Sequence, residues 1–133
     1  MATILVIDDS SVIRHLLSHT LTHNGHHVIT LACGDEALGL LETEAVDVVI
    51  ADLEMPSMDG ITLLKHIRNG ERTCEIPLLM LTASGNEQDR EDAQAAGANG
   101  FLTKPASSRD LVAAVDRLLH ANRSALSSTE CRL

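Results

Sequence analysis

The chain has no tryptophan, no tyrosine and a single phenylalanine in 133 residues. A pocket that sandwiches a planar flavin ring between aromatic side chains cannot be built from so few. Positive charge is also scarce, with 10 Lys and Arg against 19 Asp and Glu and a formal net charge of −9. Such a surface repels nucleic-acid phosphates, and no basic stripe offsets it locally, so direct nucleic-acid binding is not expected. No apolar run approaches the ~20 residues of a membrane-spanning helix. The opening "MATILVIDDS" has no basic segment before its apolar run and soon reaches a pair of acids, so it reads as a strand and not a signal peptide. Membrane insertion is not expected either. Cys33, Cys74 and Cys131 are odd in number and lack metal-ligand spacing, which reads as reduced thiols in a cytoplasmic protein.

What is present is a regular alternation of apolar runs and helical patterns. A hydrophobic content of 44% suits one folded domain that buries roughly two-thirds of its unfolded surface. Ile4–Ile7 is a strand that stops at Asp8-Asp9. Ser10 or Ser11 then caps a helix with Val12, Ile13, Leu16, Leu17 and Thr20 on one face. Gly25 ends that helix, and His27–Leu31 is a weaker, outer strand. Gly34–Glu44 is a helix, Asp47–Ala51 a strand, and Asp59-Gly60 opens a helix bearing Ile61, Leu64 and Ile67. Ile76–Leu81, Glu87–Ala96, Phe101–Thr103 and Ser107–His120 complete five strands and five helices. Continuous apolar strands separated by helices imply an α/β fold whose parallel sheet is covered on both faces.

The chemistry falls where the strands stop. In open parallel sheets the site lies outside the carboxyl ends of the strands. Those ends carry Asp8 and Asp9, Asp52, Thr82 and Lys104. Two carboxylates ~4 Å apart repel by about 4 kcal/mol at an effective dielectric of about 20. Lys104 supplies one positive charge against three acids, which leaves a deficit that a divalent cation removes. Oxygen ligands without His or Cys point to Mg²⁺, which keeps several waters and so leaves room for phosphate oxygens. A carboxylate nucleophile, a metal, a lysine and a hydroxyl suit a phosphoryl group.

"ILVIDDSSV", "VVIADLEMPSMDG", "LMLTA" and "FLTKP" resemble the receiver domains of two-component response regulators over roughly Thr3 to Leu119. The resemblance implies a doubly wound, flavodoxin-like sheet of five strands in the order 2-1-3-4-5, flanked by five helices. It implies that Asp52 is the phosphoacceptor, supplied by the phosphohistidine of a histidine kinase or histidine phosphotransfer protein. Asp9 and Asp52 would bind Mg²⁺ directly, with the backbone carbonyl of Glu54, and Asp8 through a water. Thr82 and Lys104 would contact the phosphoryl oxygens, and Phe101 would swing inward when Thr82 moves. The Lys104–Pro105 bond would be cis. The protein would be a signalling phosphoacceptor that catalyses its own phosphorylation and dephosphorylation, not an enzyme with a separate substrate. Its output would pass through the face made by the Glu87–Ala96 helix, the Phe101–Thr103 strand and the Ser107–His120 helix, to a downstream protein or a second receiver.

Some positions fit this pattern less closely. Ala106 follows the Lys-Pro pair where many relatives carry a bulky apolar residue, and Glu54 and Ser84 stand where phosphoryl lifetime is tuned in the family. Met55 and Met58 read as loop packing. His15, His19 and His23 recur every fourth residue on the first helix, a spacing that can bind metal, but they read here as a solvated outer face. A haloacid-dehalogenase-type phosphatase would need an Asp two residues after its nucleophile and a cap domain; Glu54 stands at that position. A receiver-shaped module that is never phosphorylated would not need the complete acid, Thr and Lys set. Residues 1–121 read as the receiver domain and 122–133 as a C-terminal tail or the start of a linker. With nothing further for an output domain, the expectation is a free-standing receiver.

Overall fold

The computed structural model describes residues 2–55, 58–83, 85–104 and 106–124. In chain order they form β1 (Thr3–Ile7), α1 (Ser11–His23), β2 (His27–Leu31), α2 (Gly34–Leu41), β3 (Val48–Asp52), α3 (Gly60–Asn69), β4 (Leu78–Thr82), α4 (Glu87–Ala96), β5 (Gly100–Thr103) and α5 (Ser108–Ser124). The strands make one parallel sheet in the order β2-β1-β3-β4-β5, as expected. β3 and β4 are buried at every position, which is why their sequences are apolar without alternation. β2 is an edge strand and only half-buried.

Successive side chains of a strand point to opposite faces, and this separates two cores. Leu5 and Ile7, Val49 and Ala51, and Leu78 and Met80 pack with Ala37 and Leu41 of α2, Leu63, Leu64 and Ile67 of α3 and Ala93 of α4. Ile4 and Val6, Val48 and Ile50, and Leu79 and Leu81 pack on the other face with Leu17 and Leu21 of α1 and Leu111, Ala114, Val115 and Leu118 of α5. The sheet is thus wound on both sides, and all the crossovers return to one edge, where the strand ends collect.

Side chains cap the starts of α1, α3 and α4, whereas Cys33 makes no side-chain cap for α2. Ser10, not Ser11, is the N-cap of α1, its hydroxyl accepting from the Ile13 N–H at 3.3 Å. Asp59 and Asn86 cap α3 and α4 through the N–H groups of Thr62 and Asp89 at 2.8 and 2.7 Å. Gly97 closes α4 at φ 111°, a left-handed conformation that costs any other L-residue more.

Three expectations change. The buried stripe of α1 is Leu17 and Leu21 with Ile13 half-buried, whereas Val12 and Leu16 are 65% and 56% exposed. The helix is rotated so that the i, i+4, i+8 row meets the sheet, and the neighbouring Val12–Leu16 row is left outside. Second, α5 runs on to Ser124, past His120. Third, Cys33 is a free thiol but Cys74 is disulfide-bonded, so the reading of reduced thiols holds only for Cys33 among the described residues. Pro105, Ser84 and 125–133 lie outside the described residues, and with them the expected cis bond, one of the lifetime-tuning positions and most of the tail.

Arg68 of α3 ties the far end of the sheet together. Its Nε and Nη2 donate to the Gly97 carbonyl at 3.1 and 2.9 Å, and Nη1 donates to the Ile76 carbonyl at 2.7 Å. Nη2 also reaches the Asn99 side-chain oxygen at 2.7 Å, which accepts in turn from the Leu78 N–H at 2.9 Å. Burial pushes the guanidinium pKa down, and all of these bonds end on uncharged oxygens. The Gly97 and Ile76 carbonyls are part-buried and the Asn99 contact is exposed, so each stranded acceptor costs less than the ~1–3 kcal/mol of a fully buried one. Arg68→Met keeps the aliphatic stem but removes every donor, and should lower unfolding free energy by about 1–3 kcal/mol in urea titrations. A loss within about 0.5 kcal/mol, the range of ordinary surface changes, would mean that water replaces the guanidinium.

Candidate functional site

β1, β3, β4 and β5 all deliver polar side chains to the same edge. Asp8 and Asp9 follow β1, Asp52 and Thr82 are the last residues of β3 and β4, and Lys104 follows β5. Asp8, Asp52 and Thr82 are buried, at 1%, 7% and 0% exposure, while Asp9 is exposed. One carboxylate oxygen from each of Asp8, Asp9 and Asp52 lies within 4.8 Å of the others. The sheet therefore brings together the residues singled out from the sequence.

Lys104 holds two of these acids. Its Nζ is 2.8 Å from Asp8 Oδ2 and 3.2 Å from Asp52 Oδ2. The other oxygens are also engaged: Asp8 Oδ1 accepts from the Ser10 N–H at 2.9 Å, and Asp52 Oδ1 accepts from the Glu54 N–H at 3.4 Å. The Lys104 N–H donates to the Thr82 carbonyl at 2.6 Å, which fixes the loop after β5 against β4. Below the site, the Gly60 N–H donates to the Leu53 carbonyl at 2.8 Å. A Cβ on Gly60 would stand 2.4 Å from the Asp52 carbonyl oxygen, so only glycine lets α3 start this close to β3.

Burial raises the Asp52 pKa first, and the Asp8 charge raises it further; Lys104 and the Glu54 N–H pull it back without cancelling the rise. Burial opposes the charge on Lys104, but its hydrogen bond to Asp8 and the charges of Asp52 and Asp8 outweigh this and hold its pKa above the usual value. Asp9 has no hydrogen bond or ion pair among the described residues. Three carboxylates against one ammonium, with only oxygen donors, suit a hard divalent cation.

Two features were not foreseen. Arg14 Nη1 donates to the Asp8 carbonyl at 2.6 Å, fixing the turn from β1 into α1. A cation near a helix N-terminus opposes the macrodipole, and that misplacement was the available signal. Phe101 is already half-buried against the α2–α4 core, with the Arg90 guanidinium 5.2 Å from its ring centroid. It lies on β5 beside a cleft between α4 and α5, outside the acid site. The Glu54 side chain is exposed.

Fold and site together set an acid cluster and a lysine at the carboxyl edge of a parallel sheet ordered β2-β1-β3-β4-β5. A family model described as the response regulator receiver domain matches residues 4–116, and the chain belongs to that family, the receivers of two-component signalling. It is 38% identical over 129 residues to the alkaline phosphatase synthesis transcriptional regulatory protein PhoP of Bacillus subtilis, covering 97% of this chain and 53% of that protein. The chain thus spans about half the length of the curated relatives it matches. The chemotaxis response regulator CheY4 of Vibrio cholerae superposes with a TM-score of 0.85 at 38% identity, covering 90% of this chain and 99% of that one. The receiver domain of the sensor histidine kinase PA1611 of Pseudomonas aeruginosa, described with a magnesium ion in its active-site cleft, superposes with a TM-score of 0.84 at 28% identity, covering 90% and 98%. The phosphatase alternative is left without support. Among the described residues, no helix is long and apolar enough to cross a membrane.

The raised Asp52 pKa has a consequence for stability. Folded Asp52 binds its proton more tightly than unfolded Asp52, whose pKa is the ordinary 3.8. Its contribution to stability is therefore present below 3.8 and lost as pH rises through the folded value. Without divalent cations, Asp52→Asn should melt several degrees above the parent at neutral pH, with the gap closing as pH falls toward 3.8. Thermal unfolding in EDTA measures this. A less stable variant at neutral pH would mean that the Lys104 bond outweighs the burial of the charge.

Proposed function

We propose that Asp52 takes a phosphoryl group from the phosphohistidine of a histidine kinase or histidine phosphotransfer protein. The observation that carries this reading is the convergence of Asp8, Asp9 and Asp52 around a lysine that touches two of them. An Asp52 carboxylate oxygen attacks phosphorus, the P–N bond breaks, and its electron pair leaves with the imidazole of the donor. Lys104, held beside Asp52, neutralises charge on the phosphoryl oxygens, and the Thr82 hydroxyl at the end of β4 donates to one of them. Mg²⁺ would be held by the carboxylates of Asp9 and Asp52 and the backbone carbonyl of Glu54, with Asp8 acting through water, and would supply electrostatic stabilisation of the phosphoryl charge. The magnesium described in the PA1611 receiver supports that choice of ion. The same groups serve autocatalytic gain and loss of the phosphoryl group, so the protein acts as a signalling phosphoacceptor.

The output reading rests on the α4-β5-α5 face. Phe101, Arg90, Ala93, Ala114, Arg117 and Leu118 line a cleft there, and β4 pairs with β5 in the register Thr82↔Thr103 and Met80↔Phe101. Movement of Thr82 toward a phosphoryl oxygen thus acts one strand away from the aromatic ring. A downstream protein or a second receiver reads the altered face, and the net charge of −9 disfavours direct binding to nucleic acid by this chain. Residues 1–121 are the receiver unit in this reading, with 122–133 a tail or the start of a linker, although α5 continues across that boundary to Ser124. A cytoplasmic location suits a phosphohistidine donor.

Incubation with acetyl phosphate and Mg²⁺ should add one phosphoryl group by intact mass, labile to hydroxylamine and absent in Asp52→Asn. A stable adduct on serine or histidine would contradict the assignment. Beryllofluoride with Mg²⁺ should shift amide resonances along α4, β5 and α5, and Thr82→Ala should confine the shifts to the acid site. Shifts confined there in the parent as well would remove this face as the output.

A further inference from the structure

Five of the seven histidines fall between residues 15 and 27, and the receiver chemistry uses none of them. His15, His19 and His23 lie on successive turns of α1, all exposed, and line one shallow cleft with Ser18 and Thr22. The rings of His19 and His23 are 6.3 Å apart between centroids and 16° from parallel. No hydrogen bond or ion pair among the described residues holds any of the three. Side chains four apart on a helix have Cβ atoms ~5–6 Å apart, and paired histidines at this spacing on one helix face bind zinc. The geometry points to a second metal site, on the outer face of α1, in which His19 pairs with His15 or His23 to bind one borderline transition-metal dication such as Zn²⁺, Ni²⁺ or Cu²⁺.

The chemistry separates this site from the acid cluster. Imidazole nitrogen suits zinc, nickel and copper, whereas carboxylate and carbonyl oxygen suit magnesium. Exposed imidazoles with no competing bond can rotate about χ1 and χ2 to close on one ion, and water fills the remaining coordination positions. His15 and His23, eight residues apart, are separated by about 12 Å along the helix axis and cannot share an ion. His19 belongs to both possible pairs and is the necessary member.

That asymmetry gives the test. The full chain is titrated with ZnCl₂ by calorimetry in saturating Mg²⁺, which occupies the acid cluster. Zn²⁺ should still bind, and His19→Ala should weaken binding by at least about tenfold, the loss that even outer-shell changes bring at metal sites. His15→Ala and His23→Ala, each leaving one pair intact, should bind nearly as well as the parent, and so should His66→Ala on α3. In the unmodified chain, substoichiometric Ni²⁺ should broaden the imidazole resonances of His15, His19 and His23 before those of His66 and His120. Parental affinity in His19→Ala, displacement of Zn²⁺ by Mg²⁺, or early broadening at His66 or His120 instead would each overturn the site.

Discussion

One ammonium group between two buried carboxylates is the contact on which the functional edge of this protein depends. Lys104 Nζ bonds Asp8 and Asp52 at 2.8 and 3.2 Å, and its own N–H bonds the carbonyl of Thr82 at 2.6 Å. The ends of β1, β3, β4 and β5 are therefore fixed to one residue. Lys104 offsets part of the cost of burying the Asp52 charge, and the two acids outweigh the burial that opposes the charge on Lys104. The pair is incomplete in charge, since Asp9 adds a further carboxylate. That surplus of negative charge makes the site receptive to a dication, while burial and the Asp8 charge raise the Asp52 pKa. Stability and chemistry draw on the same residues here, with opposite demands.

The fold was legible because each strand is a short apolar run closed by a polar residue, and helices of ordinary length separate the runs. The site was legible for the same reason, since Asp8, Asp9, Asp52, Thr82 and Lys104 all stand where such a run stops. What escaped was anything that depends on how elements rotate against each other. α1 carries two adjacent apolar rows, Val12–Leu16 and Ile13–Leu17–Leu21, and periodicity alone does not say which one meets the sheet. Arg68 was silent in the sequence because its partners are mostly backbone carbonyls, which exist at every position and acquire meaning only when the tertiary structure aims them, and Arg14 showed only as a cation misplaced at a helix N-terminus. The role of Gly60 belongs to the same class, since the carbonyl that excludes a side chain there is brought close by folding.

The path from the acid site to the α4-β5-α5 face is short and lies within the sheet. Phe101 rests half-buried with Arg90 over its ring at 5.2 Å. Such a contact at an exposed cation is worth about 0.5–1 kcal/mol, while full burial of a phenylalanine is worth roughly 1.5–3 kcal/mol. Burial is the larger of the two terms, and the half-buried ring has only part of it. In the proposed switch, hydrogen bonds made at Thr82 by a phosphoryl group would supply the differential that draws the ring further inward. In the same proposal, the Arg90 contact is what an inward-turned ring would give up.

Phe101 is also the only aromatic residue other than histidine in the chain. In most proteins a methyl resonance displaced by a ring current has several possible sources, and assigning the shift to one ring takes separate work. Here Ala93, Leu102, Ala114 and Leu118 share the cleft with a single benzene ring. A displaced methyl in this cleft, which no histidine lines, reports the orientation of that ring without labelling and without a tag. The poverty in aromatics that removes tryptophan and tyrosine fluorescence leaves Phe101 as the one benzene ring in the chain.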